Sequence, residues 1–304
     1  MIAFAPLQGY TDHIYRNIHA RTVGGVDEYY TPFIRWEHGG IRNKDLRDVD
    51  PANNTTGNII PQVIAKNRDE FANLCDILQQ MGWKRIDLNM GCPFPMQVHS
   101  GRGAGLLSHE QDVAEIFNEI KIRKEVTFSA KMRLGWNNPE EVFRLCPILN
   151  ESHLCHITLH PRLGISQYKG TVDDNQFLRF YEECTRPIVY NGDITSVAQI
   201  KEVRTRFPNL KGIMIGRGLL SRPTIAKEYR DNIVLSNEDI LKTTLIMHNE
   251  LFIYAQSTLQ GETQILNRMR AFWEYQESLL PKKSFKKLTK STTLRSYHEA
   301  LASL

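Results

Sequence analysis

IIPQVIAKNRDEFANLCDILQQMGWKRIDLNMGCP, residues 59–93, reads as a strand, a helix and a second strand. IIPQVIA (59–65) and RIDLNM (85–90) are short apolar runs of the kind found in strands buried on both faces. Between them, RDEFANLCDILQQMG (68–82) sets Phe71, Leu74, Cys75 and Leu78 at helical spacing. Strand, crossover helix and parallel strand is the unit from which parallel sheets are built. Outward from this unit the alternation continues. Further strands are read at IAFA (2–5), YYTPFI (29–34), VTFSAKM (126–132), HITLH (156–160), PIVYN (187–191) and GIMIG (212–216). HEQDVAEIFNEIKIRK (109–124) repeats the helical pattern. Eight strands alternating with helices over about 220 residues predict an α/β fold, a (β/α)8 TIM barrel; an open doubly wound sheet is the alternative.

After GRGLLSRP (216–223) the alternation stops. Ser236, followed by Asn237, Glu238 and Asp239, predicts a helix start with acids in its first turn. DILKTTLIMHNELFIYAQ (239–256) and ILNRMRAFWEYQESLL (265–280) read as helices, and no strand pattern appears past Val234. The predicted organisation is a barrel over 1–235 and a small all-helical domain over 236–304.

The 304 residues, 41% hydrophobic and 24% charged, suit one large domain with an appendage. A net charge of +4 permits a nucleic-acid partner without demanding one. The charge is unevenly placed: PKKSFKKLTKSTTLR (281–295) carries Lys282, Lys283, Lys286, Lys287, Lys290 and Arg295 and no acid. Such a run is either a solvated helix face or a phosphate-contacting surface. Asp12 and His13 interrupt the N-terminus before a signal-peptide core can form, and no apolar run reaches membrane-span length. The five cysteines are scattered without CxxC pairing, so a reducing cytoplasm is expected, with neither a disulfide framework nor a metal site.

In a barrel the chemistry sits at the C-terminal ends of the strands. Those ends are Pro6-Leu7-Gln8, Gln62, Asn89 with Cys92, Lys131 with Arg133, His160 with Arg162, Asn191-Gly192-Asp193, and Gly216-Arg217. Each alone has a structural explanation: a satisfied core histidine, a snorkelling cation, a common turn. Together they make a ring of polar and cationic groups. The ends of the last two strands, where barrel enzymes commonly hold phosphate, carry glycines and Arg217. Gln62 and Lys131 lie further round, placed to hydrogen-bond a flat heterocycle. Phosphate at one side and ring donors at the other suit FMN.

These stretches resemble the dihydrouridine synthases, flavin-dependent enzymes that reduce specific uridines in RNA. The resemblance runs through APLQGYTD (5–12), Gln62, DLNMGCP (87–93), GAGLL (103–107), KMRLGW (131–136), HPRLG…YKG (160–170), PIVYNGDI (187–194) and GIMIGRGLL (212–220). It implies FMN contacts from Pro6, Leu7, Gln8, Gln62, Asn89, Lys131, His160, Asn191, Gly192, Asp193, Gly216 and Arg217. It makes Cys92 the catalytic acid, NADPH (or NADH) the reductant and tRNA the substrate of a cytoplasmic, monomeric enzyme. Arg35, Arg133, Arg162, Arg270, Lys282, Lys283, Lys286 and Lys287 are the expected RNA contacts. Three substrate-side positions depart from the family pattern: Pro32 stands where many members have glutamate, Pro95 where many have lysine, and Val98 where many have asparagine. Other readings are reduction of ribosomal RNA, a dihydroorotate dehydrogenase-like flavin barrel acting on a small molecule, and an RNA-binding protein that has lost its chemistry.

Overall fold

The computed structural model describes residues 1–304. Eight parallel strands form the frame: β1 (Ile2–Phe4), β2 in two pieces (Glu28–Tyr30 and Ile34–Arg35) and β3 in two pieces (Ile59–Ile60 and Gln62–Ile64). They are followed by β4 (Arg85–Met90), β5 (Thr127–Gly135), β6 (Ile157–Leu163), β7 (Ile188–Asn191) and β8 (Gly212–Ile215). Each pairs with its neighbour in sequence, and β8 returns to β1 with Ile213 opposite Ile2. The ring closes between β2 and β3, where Tyr29 and Tyr30 face Ile59 and Ile60 while Ile34 and Arg35 face Val63 and Ile64. The predicted TIM barrel is the observed fold.

Two strands read as continuous are broken, each at a proline. Pro61 has no N–H for the ladder, and Pro32 interrupts β2 opposite it. The gap is bridged by a side chain: the Gln62 N–H donates to the Thr31 hydroxyl at 3.0 Å. Register steps by one residue across this break. Elsewhere the strands outrun their predicted ends, β5 to Gly135 and β6 to Leu163. Their backbone groups stay paired there, with a bulge between Arg133 and Gly135, which carries both strands up to the rim of the barrel.

Helices at Arg68–Gln80 and Glu110–Ile122 match the two helical patterns. Asn67 caps the first by accepting from the Glu70 N–H. Beyond residue 235 the chain is helical, with helices at Asn237–Thr258, Glu262–Trp273, Lys282–Lys290 and Leu294–Leu301. Ser236 is the N-cap of the first and accepts from the Asp239 N–H. These helices share one hydrophobic core with the barrel: Met247, Leu251, Trp273 and Tyr297 belong to the same buried cluster as Phe4, Ile18 and Tyr29. Trp273 Nε1 donates to the Tyr297 hydroxyl (2.7 Å), which pairs with His248 Nε2 (2.6 Å). Burial pushes His248 down to about 4, so the ring is neutral and accepts the tyrosine proton. Arg268 joins Asp12 at 2.7 Å, and Arg21 pairs with Glu250, pinning the appendage to the barrel.

Candidate active site

The C-terminal ends of all eight strands line one cavity of about 1140 Å³. Pockets for a single drug-sized ligand are roughly 300–1,000 Å³, so this one has room for a cofactor and a nucleotide base together. Every expected cofactor residue lines it: Pro6, Leu7, Gln8, Gln62, Asn89, Lys131, His160, Asn191, Gly192, Asp193, Gly216 and Arg217. Cys92, Arg35 and Arg133 line it as well.

Cys92 follows β4, where the strand gives way to the helix Pro95–His99. A chain of buried hydrogen bonds fixes its position. Asp87 accepts from the Ser129 hydroxyl (2.5 Å) and from Gln62 Nε2 (2.7 Å). Gln62 Oε1 then accepts from Asn89 Nδ2 (2.8 Å), which leaves Asn89 Oδ1 to accept the N–H groups of Gly91 (3.0 Å) and Cys92 (2.8 Å). An ionised carboxylate only accepts, so Asp87 sets the orientation of both amides in turn. Burial raises Asp87 to about 6, despite the hydrogen bonds from Ser129 and Gln62, so it is mostly ionised at neutral pH. Neither Asp87 nor Ser129 was singled out by sequence reasoning; Asp87 lies inside the DLNMGCP stretch, but nothing in a sequence shows who bonds to it.

Burial pushes the Cys92 thiol up, outweighing the Phe94 N–H and the nearby Arg133 and Lys131 charges. The group at the cavity wall is therefore a thiol. Lys131 makes no salt bridge or side-chain hydrogen bond, and burial, helped by Arg133, lowers it to about 8. It is a cation at neutral pH without a protein partner. His160 lies far below its usual range through burial and the positive charges of Arg133 and Lys131, so it is neutral and accepts from Arg162 Nη1 at 3.1 Å.

On the opposite wall Asp193 sits at φ +46°, a conformation that costs an L-residue about 1–2 kcal/mol. It accepts from Arg162 Nη1 (2.8 Å) and Arg217 Nη2 (2.9 Å). Burial would raise its carboxyl, but these two guanidinium groups hold it below the ordinary range. Arg217 also packs over the Tyr168 ring, 4.6 Å from its centroid. The first N–H groups of the helix Arg217–Ser221 have no partner within it and border the cavity.

The expected RNA contacts divide into two groups. Arg133 is 2% exposed and bound through two of its three guanidinium nitrogens: Nε donates to the Gly91 carbonyl (3.0 Å), Nη1 to those of Leu163 (2.9 Å) and Gln167 (2.7 Å). Arg162 is spent on Asp193, His160 and the Gly170 carbonyl, and Arg270 on Asn267 and the Ser291 carbonyl. Arg35 pairs with Glu37 at 2.7 Å. Lys282, Lys283, Lys286 and Lys287 differ, being exposed and free of ion pairs on the helix Lys282–Lys290, away from the cavity. Tyr275, also unanticipated, is the one cavity-lining residue from beyond 235. No cluster of metal-ligating side chains is present, and no helix is long and apolar enough to cross a membrane.

Comparison with known proteins agrees with this geometry. The dihydrouridine synthase (Dus) family profile matches residues 3–302. Among curated relatives, a tRNA-dihydrouridine(16) synthase of Pseudomonas putida is 28% identical over 79% of this chain and 78% of its own. One from Vibrio vulnificus is 24% identical over 92% and 89%. Similar solved structures include morphinone reductase in complex with tetrahydroNAD (TM-score 0.54, 8% identity, 77% of this chain and 87% of that one). The old yellow enzyme of Trypanosoma cruzi is another (TM-score 0.54, 10% identity, 82% and 93%), and both likenesses concern the fold. With a family match over nearly the whole length and an eight-strand barrel whose strand ends build one cavity, the chain belongs to the dihydrouridine synthase family, an oxidoreductase.

Proposed function

We propose that this protein reduces a uridine of tRNA to 5,6-dihydrouridine, with FMN as cofactor and NADPH as reductant, acting as a cytoplasmic monomer. The observation that carries the chemistry is the thiol of Cys92, kept protonated by burial at the wall of a cavity that also holds an unpartnered lysine. The residues fit FMN. Lys131 is a half-buried cation available to an electron-rich ring edge, and Arg217 with the adjoining helix N–H groups offers a seat for a phosphate.

Held by these residues, a reduced FMN would supply the hydride that the uracil C6 needs. Cys92 delivers the balancing proton to C5 and regains one from solvent, so the base gains two electrons and two protons. Because this step needs a thiol, the raised Cys92 serves it and a thiolate would not. The Asp87–Gln62–Asn89 chain holds the Cys92 backbone in place, which matters because reacting atoms must approach to roughly 3–3.5 Å. Arg133 ties the Cys92 loop to the loop after β6, closing the cavity between them. A stacked uridine cannot enter, so the target base leaves its stack. The exposed lysines of Lys282–Lys290 bind the RNA body by charge.

Cys92→Ala tests this reading. Dihydrouridine in tRNA, counted by mass spectrometry after single turnover, is expected to fall by about 10²–10⁴-fold, with the flavin absorbance retained. Undiminished product would remove Cys92 from the acid role.

A further inference from the structure

Six amide side chains line the cavity: Gln8, Gln62, Asn89, Gln97, Gln167 and Asn191. Four are tied to protein. Gln8 donates to the Phe33 carbonyl, Gln62 and Asn89 form the chain beneath Cys92, and Asn191 donates to the Met214 carbonyl. Gln167 is exposed to water. Gln97 makes no side-chain hydrogen bond: the residue is 2% exposed, and its Oε1 is enclosed without a partner. Its backbone, in contrast, is saturated. The N–H donates to the Phe94 carbonyl (2.9 Å), and the carbonyl accepts from Ser100 (3.1 Å) and Arg102 (2.9 Å). A buried amide oxygen without a partner costs about 1–3 kcal/mol, and such groups in folded proteins call for an explanation.

Gln97 and Cys92 are carried by one loop, folded back on itself by the Arg102 N–H to the Gln97 carbonyl and the Ala104 N–H to the Cys92 carbonyl (3.0 Å). A thiol directed at C5 of a pyrimidine lies beside the edge that carries O4 and N3–H. A primary amide presents one acceptor and two donors, which complements an N–H flanked by a carbonyl. We propose that Gln97 is a specificity-determining residue that reads the imide edge of the target uracil, its amide accepting from N3–H and donating to the neighbouring carbonyl. This rests on reading the cavity as a uridine-reduction site. The class of substrate it selects is a uridine unsubstituted at N3.

The test is a cycle between the amide and the base. The holoenzyme is given its tRNA with either uridine or N3-methyluridine at the position that mass spectrometry shows to be reduced. In the unaltered enzyme the methyl group should lower kcat/KM by at least ~30-fold, and Gln97→Met should lower uridine reduction by roughly 10–100-fold. In Gln97→Ala, where the blocked group is gone and space is open, methylation should cost less than about threefold more. The same pattern is expected in the tRNA Kd of the oxidised holoenzyme without reductant. Full activity of the unaltered enzyme on the methylated base overturns the proposal whatever the variants do. So does a methylation penalty unchanged in Gln97→Ala, or a Gln97→Met defect that is only lost flavin. Absence of dihydrouridine in any tRNA offered to the unaltered enzyme instead refutes the reading of the cavity itself.

Discussion

Asp87 decides more about Cys92 than its distance along the chain suggests. Its acceptor-only carboxylate turns Gln62 Nε2 inward, and the orientation passes through Asn89 to the Cys92 N–H. Asp87→Asn puts an amide where two donors now converge, so one bond must break or Gln62 must turn over. The expected result is a 10–100-fold fall in single-turnover dihydrouridine formation with flavin retained, the scale of loss from a misplacement of about 1 Å. Lys131 makes a second prediction. Its ammonium, lowered to about 8, is present below that pH and lost as pH rises through it. Affinity of the apoprotein for FMN, followed by quenching of flavin fluorescence, should therefore weaken between pH 7 and 9. Lys131→Met should flatten the profile.

At the scale of elements, the loop from Cys92 to Leu107 is shaped by backbone packing. Gly103 sits at φ +59°, and a Cβ there would lie 2.6 Å from the Cys92 carbonyl oxygen and 2.9 Å from the Cys92 Cβ. Gly103→Ala is expected to cost at least the 1–2 kcal/mol of a left-handed residue and to push Cys92 directly. Thermal melting should register the first effect, and a more than tenfold loss of product the second. Arg133 is the other structural device, joining the end of β4 to the loop after β6 through three carbonyls. Arg133→Met leaves these buried acceptors unpaired, for an expected loss of roughly 2–4 kcal/mol in urea unfolding. A phosphate-binding role alone would leave stability unmoved.

For the whole molecule, the helical appendage is built into the enzyme. Its core is continuous with the barrel's, Tyr275 reaches the cavity wall, and Tyr10 donates to Glu274 at 2.7 Å across the junction. The exposed lysines of Lys282–Lys290 are thus held at a fixed place relative to the mouth of the cavity. Replacing Lys282, Lys283, Lys286 and Lys287 by Ala should weaken tRNA binding, and the slope of log K against log salt should become shallower by about one for each phosphate that is no longer neutralised. Unchanged affinity and slope would remove this helix from the RNA interface.

Local patterning determined the strand and helix alternation, the Ser236 helix start and the residues at the strand ends, because period and turn chemistry are written in neighbouring residues. The strand ends could be read as a ring for the same reason: parallel strands all finish on one side. Only the tertiary structure decided which polar groups are spent and which are free. Arg133 and Arg162 read in sequence as RNA contacts, and only the fold shows that their guanidinium groups also hold carbonyls and a carboxylate from distant segments. Gln97 looks ordinary and is the one amide of the cavity wall whose buried oxygen lacks a partner. The thiol state of Cys92 was equally undecided, since nearby cations favour the thiolate and burial opposes it; burial wins. Hydrogen-bond satisfaction and desolvation are sums over everything that surrounds a group, and those surroundings exist only once the barrel has closed.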